Sequence, residues 1–365
     1  MFDIKQKLIY NINMKELDNL HYDFRAIDGY NKPFNFILSP RELGKTSMFW
    51  TKKAYFKWRE NKKPWIYCVR KSVEITEALI NSIADTTINK FTDDNVKFRF
   101  TKGSFKEGIT DVYIGKDLFF RIVSLSIALQ RIKKAVLKDI AGVVMDEYVV
   151  NPKLNEKYVK GEATIIKEAY STWRREADGV LKWYFFGNPY SLYNPLFVYW
   201  KVDTNKIKLD DFYVGDTFVI HTPLLSEGLK NKLLEENPLY KFDEEYMMYA
   251  LLGKAMNDKN IKLGKLPQNF SLKFTFKIED LIIGVFQANE YKEDQDKFFC
   301  KFIDIVSAKR VVYCFDFESM IEQCQLLALD DRFKLQRFKD AMRKRLVSFE
   351  DINVYYKIQE VYEVI

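Results

Sequence analysis

Residues 39–46 read Ser39-Pro40-Arg41-Glu42-Leu43-Gly44-Lys45-Thr46. They follow Phe34-Asn35-Phe36-Ile37-Leu38, a short apolar run that reads as a strand. The stretch fits the phosphate-binding pattern Gly-x-x-x-x-Gly-Lys-Ser/Thr, with Ser39 standing where the first glycine is usual. Its physical logic survives that change. The loop has to curl so that successive N–H groups face phosphate oxygens. Gly44 lets the backbone approach closely, Lys45 reaches the β- and γ-phosphates, and Thr46 ligates Mg²⁺. Thr46–Arg59 reads as a helix, whose positive dipole end adds to the site. The expected ATP contacts are Ser39, Arg41, Gly44, Lys45, Thr46 and Ser47. Taken alone, the motif also fits an ordinary strand–turn–helix with a chance Gly-Lys-Thr.

Working outward, Trp65–Val69, Ile140–Met145 and Leu181–Phe186 are continuous apolar runs of strand length, separated by helical patterns at 74–91 and 163–176. Runs of this kind are strands buried on both faces. They predict an α/β fold with a mostly parallel central sheet over residues 1–200, and ligands in such sheets bind at the carboxyl ends of the strands. Residues 201–262 are less regular, with helices expected at 226–236 and 244–256, and read as a linker module. From 263 to 365 strands are expected at 270–276, 281–287, 298–306 and 311–315, then helices at 318–328 and 331–346, which makes an α+β domain.

The apolar run Ile140–Met145 stops at Asp146-Glu147. A carboxylate at a strand tip completes a Mg²⁺ shell, so Asp146 joins Thr46 as an expected metal ligand. A following Glu polarises the attacking water as a general base, the role expected of Glu147. Two solvated acids at a strand end are the bland alternative. Asn188, just past the third apolar run, is placed to sense a γ-phosphate, although Gly-Asn-Pro is also a plain turn signal. Arg174, in Trp173-Arg174-Arg175, suits an arginine finger acting on a neighbouring subunit, or else a solvated pair at a helix end.

The bulk numbers fit this frame. The chain has 365 residues, 47% of them hydrophobic and 30% charged, which is globular composition. A net charge of +7 is compatible with a polyanionic partner. Four cysteines without Cys-x-x-Cys spacing and only two histidines argue against a zinc site or a disulfide framework and point to a reducing compartment. Neither a signal peptide nor an apolar run of the roughly 18 residues that span a bilayer is visible, so no membrane partner is expected.

Several stretches together resemble the genome-packaging ATPases of small tailed double-stranded-DNA phages with protein-primed genomes. They are the P-loop with Arg41 inside it, Trp65-Ile-Tyr-Cys-Val-Arg70-Lys71, Leu125-Ser126-Ile127, Val144-Met-Asp146-Glu147-Tyr148, Thr172-Trp-Arg174, Asn188 through Asn194-Pro195-Leu196-Phe197, and Ile283-Gly284-Val285-Phe286. The likeness is strongest over residues 34–197, and Ser39 and Pro40 depart from it. It implies a P-loop NTPase of the additional-strand, conserved-glutamate (ASCE) class, FtsK/HerA-like or terminase-like, with an RNase H-like C-terminal domain that has lost nuclease activity. The implied motor is a ring, with five copies expected, on the portal or connector of a procapsid in the host cytoplasm. It would hydrolyse ATP with Mg²⁺ and translocate double-stranded DNA, and some members of the family use a packaging RNA. In this reading Lys45, Glu147 and Arg174 are catalytic. The rival readings are a terminase-like ATPase that also cuts DNA, with Asp304, Asp316 and Glu318 in view, a non-hydrolysing nucleic-acid-binding protein on the portal, and an unrelated P-loop helicase.

Overall fold

The computed structural model describes residues 21–364 apart from 152–153, 155, 255–260, 279, 291–294, 305–309, 316–320, 322–323 and 328–334. The helix expected around 14–20 lies outside them. The chain divides into two compact units, one of Met1–Trp200 with Lys206–Met256, the other of Lys201–Asn205 with Asn257–Ile365.

The first unit is built on a nine-stranded sheet. Its strands are β1 (Phe34–Leu38), β2 (Trp65–Val69), β3 (Phe98–Phe100), β4 (Ile109–Ile114), β5 (Asp117–Ser124), β6 (Gly142–Asp146), β7 (Trp183–Gly187), β8 (Phe212–Val214) and β9 (Phe218–His221). The spatial order is β3-β4-β5-β2-β6-β7-β1-β9-β8. The six strands from β5 to β9 are mutually parallel. Antiparallel strands close both edges. Every residue of β1, β2 and β7 is buried, which is why these runs show no alternation. Large rings fill the layers: Phe36 stacks on Phe185 with centroids 4.5 Å apart, and Trp173 stacks on Trp183 at 5.4 Å.

The expected helix after the loop forms over residues 45–61, with a π-helical middle at Phe49–Tyr55 that buries Phe49 and Trp50. Residues 201–262 hold more order than their composition suggested. Alongside the helices Glu227–Glu236 and Glu244–Ala250, strands β8 and β9 form, and β9 pairs with β1.

The second unit has a six-stranded sheet of β10 (Phe270–Ile278), β11 (Leu281–Ala288), β12 (Phe298–Phe302), β13 (Val312–Cys314), β14 (Cys324–Leu326) and β15 (Val347–Phe349), ordered β14-β13-β10-β11-β12-β15. Strands β10, β11 and β12 form an antiparallel meander, and β13 is parallel to β10. Phe274, Phe276, Phe298 and Val347 pack with Phe338 and Ile358 from the helices Gln336–Arg343 and Ile352–Val364. Two expectations fail here. The described end of the helix expected at 318–328 is strand β14, because Cys324 packs with Val312 and Cys314 and its ladder completes that of β13. The C-terminal strand and helix were not foreseen; Asp351 Oδ1 caps that helix by accepting from Val354 N (3.1 Å).

Gly142 opens β6 directly opposite Trp65 of β2. A Cβ there would lie 2.5 Å from Trp65 Cζ3 and 3.0 Å from the Lys182 carbonyl oxygen. Gly142→Ala is therefore expected to destabilise the protein by about 1–3 kcal/mol through overpacking, read as a lower urea midpoint with an unchanged slope.

Candidate active site

Strand β1 ends at Leu38, and the next residue is tied across the sheet by Ser39 N donating to Gly187 O (3.1 Å). Ser39 is fully buried and is not among the residues with positive φ, so the backbone at this point does not call for glycine. The chain then makes one 3₁₀ turn, Arg41–Leu43, and reaches Gly44 at φ +69. That left-handed conformation and the His21 ring both demand glycine, since a Cβ would sit 2.9 Å from His21 Nδ1. Lys45 and Thr46 open the following helix.

Lys45 turns under the loop and is 5% exposed. Its ammonium donates to Asn188 Oδ1 (2.9 Å) and Pro40 O (3.4 Å). Burial lowers its pKa to about 8, with the charges of Asp146 and Glu147 pulling the other way. Thr46 Oγ1 donates to Asp146 Oδ2 (2.7 Å). Burial raises the Asp146 carboxyl, opposed by the Thr46 bond and by Lys45. Glu147 N donates to Asp146 Oδ1 (2.9 Å), and the Glu147 side chain is exposed at the rim. Its carboxyl is nonetheless raised, first by desolvation and then by Asp146 and Glu156, with Arg41 and Lys45 opposing.

Strands β1, β7 and β6 are neighbours and parallel, so Lys45 with Thr46, Asn188, and Asp146 with Glu147 meet at one edge although up to 143 residues separate them. Ser47 is half-buried on the first helical turn, and Arg41 is exposed on the 3₁₀ turn. Arg174 is the exception. The helix Glu162–Trp173 carries the chain away by about 18 Å at 1.5 Å per residue. Ala177, just beyond, pairs with Ile140 at the amino end of β6. Arg174 is exposed there, at the far edge of the sheet from Lys45.

Sequence reasoning gave no role to Arg70 and Glu162. Arg70 closes β2 and is 8% exposed; Glu162 is 2% exposed. The guanidinium donates to both Glu162 oxygens, from Nε to Oε2 (2.9 Å) and from Nη2 to Oε1 (3.0 Å). Nη1 donates to Glu147 O (2.6 Å), and Nη2 also donates to Tyr148 O. Glu147 has φ +54, a strained value for a residue with a Cβ, and Arg70 fixes the peptides on either side of the turn that follows. The charge at the end of an apolar strand marked Arg70, whereas nothing local marks a partner 92 positions on. A cavity of about 510 Å³ opens beside this cluster, lined by Tyr67, Arg70, Glu74, Asp146, Glu147 and Glu156 among others.

The Arg70–Glu162 pair supplies a stability test. Glu162→Leu leaves a buried guanidinium half-paired and is expected to cost about 3–5 kcal/mol; adding Arg70→Met removes that unpaired charge but also the donor to Glu147 O and Tyr148 O, so the double variant recovers only part of it. A double-mutant cycle by urea denaturation measures the coupling.

No protein-family model and no curated protein matches this sequence. Solved structures do resemble it. One is a chain of the bacteriophage Phi-29 viral genome packaging motor assembly, with a TM-score of 0.68 and 17% identity over 94% of this chain and 99% of that one. Another is the Phi-28 gp11 DNA packaging motor, with a TM-score of 0.64 and 14% identity over 93% and 97%. At such identities the likeness speaks to the fold alone: along nearly its whole length, this chain has the fold of these phage packaging motor chains.

Proposed function

We propose that the protein is an ATPase that drives double-stranded viral DNA into a procapsid. The observation that carries this reading is the meeting of Lys45, Thr46, Asp146, Glu147 and Asn188 at the carboxyl ends of three adjacent parallel strands. Strand β7 lies between the loop-bearing β1 and the acid-bearing β6, which supports the additional-strand P-loop class. The likeness in fold to the Phi-29 packaging motor assembly supports the biological role.

The residues fit ATP with Mg²⁺. A curled loop at a helix start, a buried ammonium held by neutral oxygens, and a hydroxyl beside a carboxylate are the donor set that a triphosphate and a hard cation require. Ser39, Arg41, Gly44, Lys45 and Ser47 line the phosphates, and Thr46 and Asp146 hold the metal. Mg²⁺, when bound, neutralises charge developing on the phosphates. Glu147 takes the proton of the water that attacks the γ-phosphorus as the bond to the leaving ADP oxygen breaks, and its raised carboxyl suits a proton acceptor. Asn188 exchanges its bond to Lys45 for one to the γ-phosphate. Arg174, on the far edge, serves only a neighbouring copy, which favours a ring; five copies on the portal or connector, with or without a packaging RNA, complete the picture. Such a motor works in the host cytoplasm, transiently on the procapsid. Among the described residues no helix is long and apolar enough to cross a membrane.

Residues 1–200 form the ATPase domain and 201–262 link it to 263–365, with β8 and β9 of the linker anchored on the first sheet. The order β12-β11-β10-β13-β14 supports an RNase H-like C-terminal domain. Its central strand β10 carries Lys273, Thr275 and Lys277 where a two-metal nuclease would place acid, which favours a domain without cutting activity. Asp304 is exposed and paired with Lys201 (2.7 Å); Asp316 and Glu318 lie outside the described residues.

ATP turnover should rise cooperatively with protein concentration and with added duplex DNA. It should fall by roughly 10²–10⁴-fold in Glu147→Gln. A protein that neither binds nor hydrolyses ATP, even when assembled on a portal, would return the reading to a non-hydrolysing scaffold.

Lys45 supplies a second test. Its free-state pKa of about 8 lies below the ordinary 10.5, so the free fold carries the cost of charging it below pH 8 and gains stability as pH rises toward 10.5. Bound phosphates raise that pKa, so ATP binding somewhat above pH 8 should take up a proton. Calorimetry in buffers of different ionisation heat should show the uptake in the wild type and not in Lys45→Met.

A further inference from the structure

Four loops leave the same edge of the first sheet that carries Glu147. Residues 70–77 follow β2, 101–108 lead into β4, 125–131 follow β5, and 147–151, 154 and 156–161 are the described residues that follow β6. Because β4 is antiparallel to β5, its start at Ile109 pairs with Val123 at the end of β5, and Val69 pairs with Ser124. The loops touch: Ser124 N donates to Gly108 O (2.8 Å), and a Cβ on Gly108 would lie 2.7 Å from Ser72 Oγ and 2.5 Å from Ile127 Cγ2.

The charges on these loops do not cancel. Glu77 is paired with Lys102 (2.5 Å), and Glu107 with Arg131 (3.7 Å). Glu74 turns back to accept from the Arg70 and Lys71 amides. Lys71, Lys106 and Lys157 are exposed and make no direct ion pair among the described residues; Lys71 acts on Glu74 through space, and Lys71 and Lys157 border the same cavity as Glu147 and Glu156. Ser126 adds an exposed hydroxyl, and Ser72 and Ser104 are half-buried. The wider balance agrees. Residues 201–205 and 257–365 contain nineteen acids and nineteen Lys or Arg, so the whole formal charge of +7 belongs to the first unit.

We infer that this edge grips the phosphate backbone of double-stranded DNA through Lys71, Lys106 and Lys157. The inference rests on the motor reading and names the surface that reading leaves unassigned. Cations and hydroxyls are the groups that meet phosphates without reading bases. A single-strand groove would instead offer aromatic platforms for stacking. The large hydrophobic side chains exposed on these loops among the described residues, Val73 and Leu154, are aliphatic and offer no stacking face, and Phe105 is stacked on Phe100.

The test is anisotropy of a fluorescent DNA duplex titrated with the full chain over a salt series, with a single strand of equal length in parallel. The proteins are wild type, the triple variant Lys71→Ala/Lys106→Ala/Lys157→Ala, and Lys116→Ala, which removes an exposed lysine from the β4–β5 turn at the opposite edge. The triple variant should lose roughly 3 from the slope of log affinity against log salt, about 0.9 per phosphate contact, and at least about tenfold in affinity at physiological salt. Lys116→Ala should match wild type. An unchanged slope in the triple variant, an equal loss in Lys116→Ala, tighter binding of the single strand, or no duplex binding by wild type each overturns the surface. Binding of a fluorescent ATP analogue, measured on the same samples, separates that failure from failure of the ATPase reading, which would show as no nucleotide binding by any protein.

Discussion

An ammonium group buried against neutral oxygens is the constraint on which the active edge depends. Lys45 is removed from water and held by an amide and a main-chain carbonyl, and the nearest acids act on it through space. Removing such a charge from water costs several kcal/mol, so the surroundings have to be built to hold it. The loop must turn tightly enough to tuck the side chain under itself, which requires the left-handed backbone at Gly44. The amide of Asn188 must arrive from β7 and the carboxylate of Asp146 from β6. These demands are met only if the strands lie side by side and point the same way, so the order of the sheet and the electrostatics of the site are one requirement. A site whose cation rests on neutral acceptors is also one that a polyanion improves.

How much of this was legible in the sequence follows from how local each signal is. The loop, the apolar strand ends and Asp146-Glu147 were legible because each is a run of adjacent residues whose pattern reports burial directly. The strand β14 and the C-terminal helix were not. Cys324-Gln325-Leu326 is too short to show a period, and only its ladder with Val312–Cys314 makes it a strand. Strands β8 and β9 were missed for a related reason: Phe212–Val214 is only partly buried, and β9 gains its place from the free edge of β1. The Arg70–Glu162 pair was illegible as a pair, since a buried charge announces that it needs a partner without saying where the partner lies.

That pair also explains a local irregularity. Glu147 must leave β6 with its side chain at the rim while Asp146 stays turned toward Thr46. A regular strand would send successive side chains to opposite faces. The positive φ at Glu147 breaks the alternation, at a cost of about 1–2 kcal/mol for a residue with a Cβ. Arg70 offsets it by binding the carbonyls of Glu147 and Tyr148, and Glu162 fixes Arg70 from the far side. The strain is thus carried by a buried ion pair rather than by the loop itself.

The same geometry accounts for where the charge of the molecule goes. Parallel strands deliver all their outgoing loops to one edge, and β4, running backwards, brings the start of its own strand there as well. Residues next to each other at a strand end then meet opposite conditions. Arg70 turns inward and must be neutralised by Glu162, whereas Lys71 remains in water and needs no partner. Two acids of this edge are drawn inward, Asp146 beside Thr46 and Glu162 beside Arg70, while Glu77 and Glu107 pair with Lys102 and Arg131 at the surface, which leaves Lys71, Lys106 and Lys157 without a direct ion pair among the described residues. A basic rim follows from satisfying the buried charges first, and under the proposed function it would keep the duplex apart from the nucleotide.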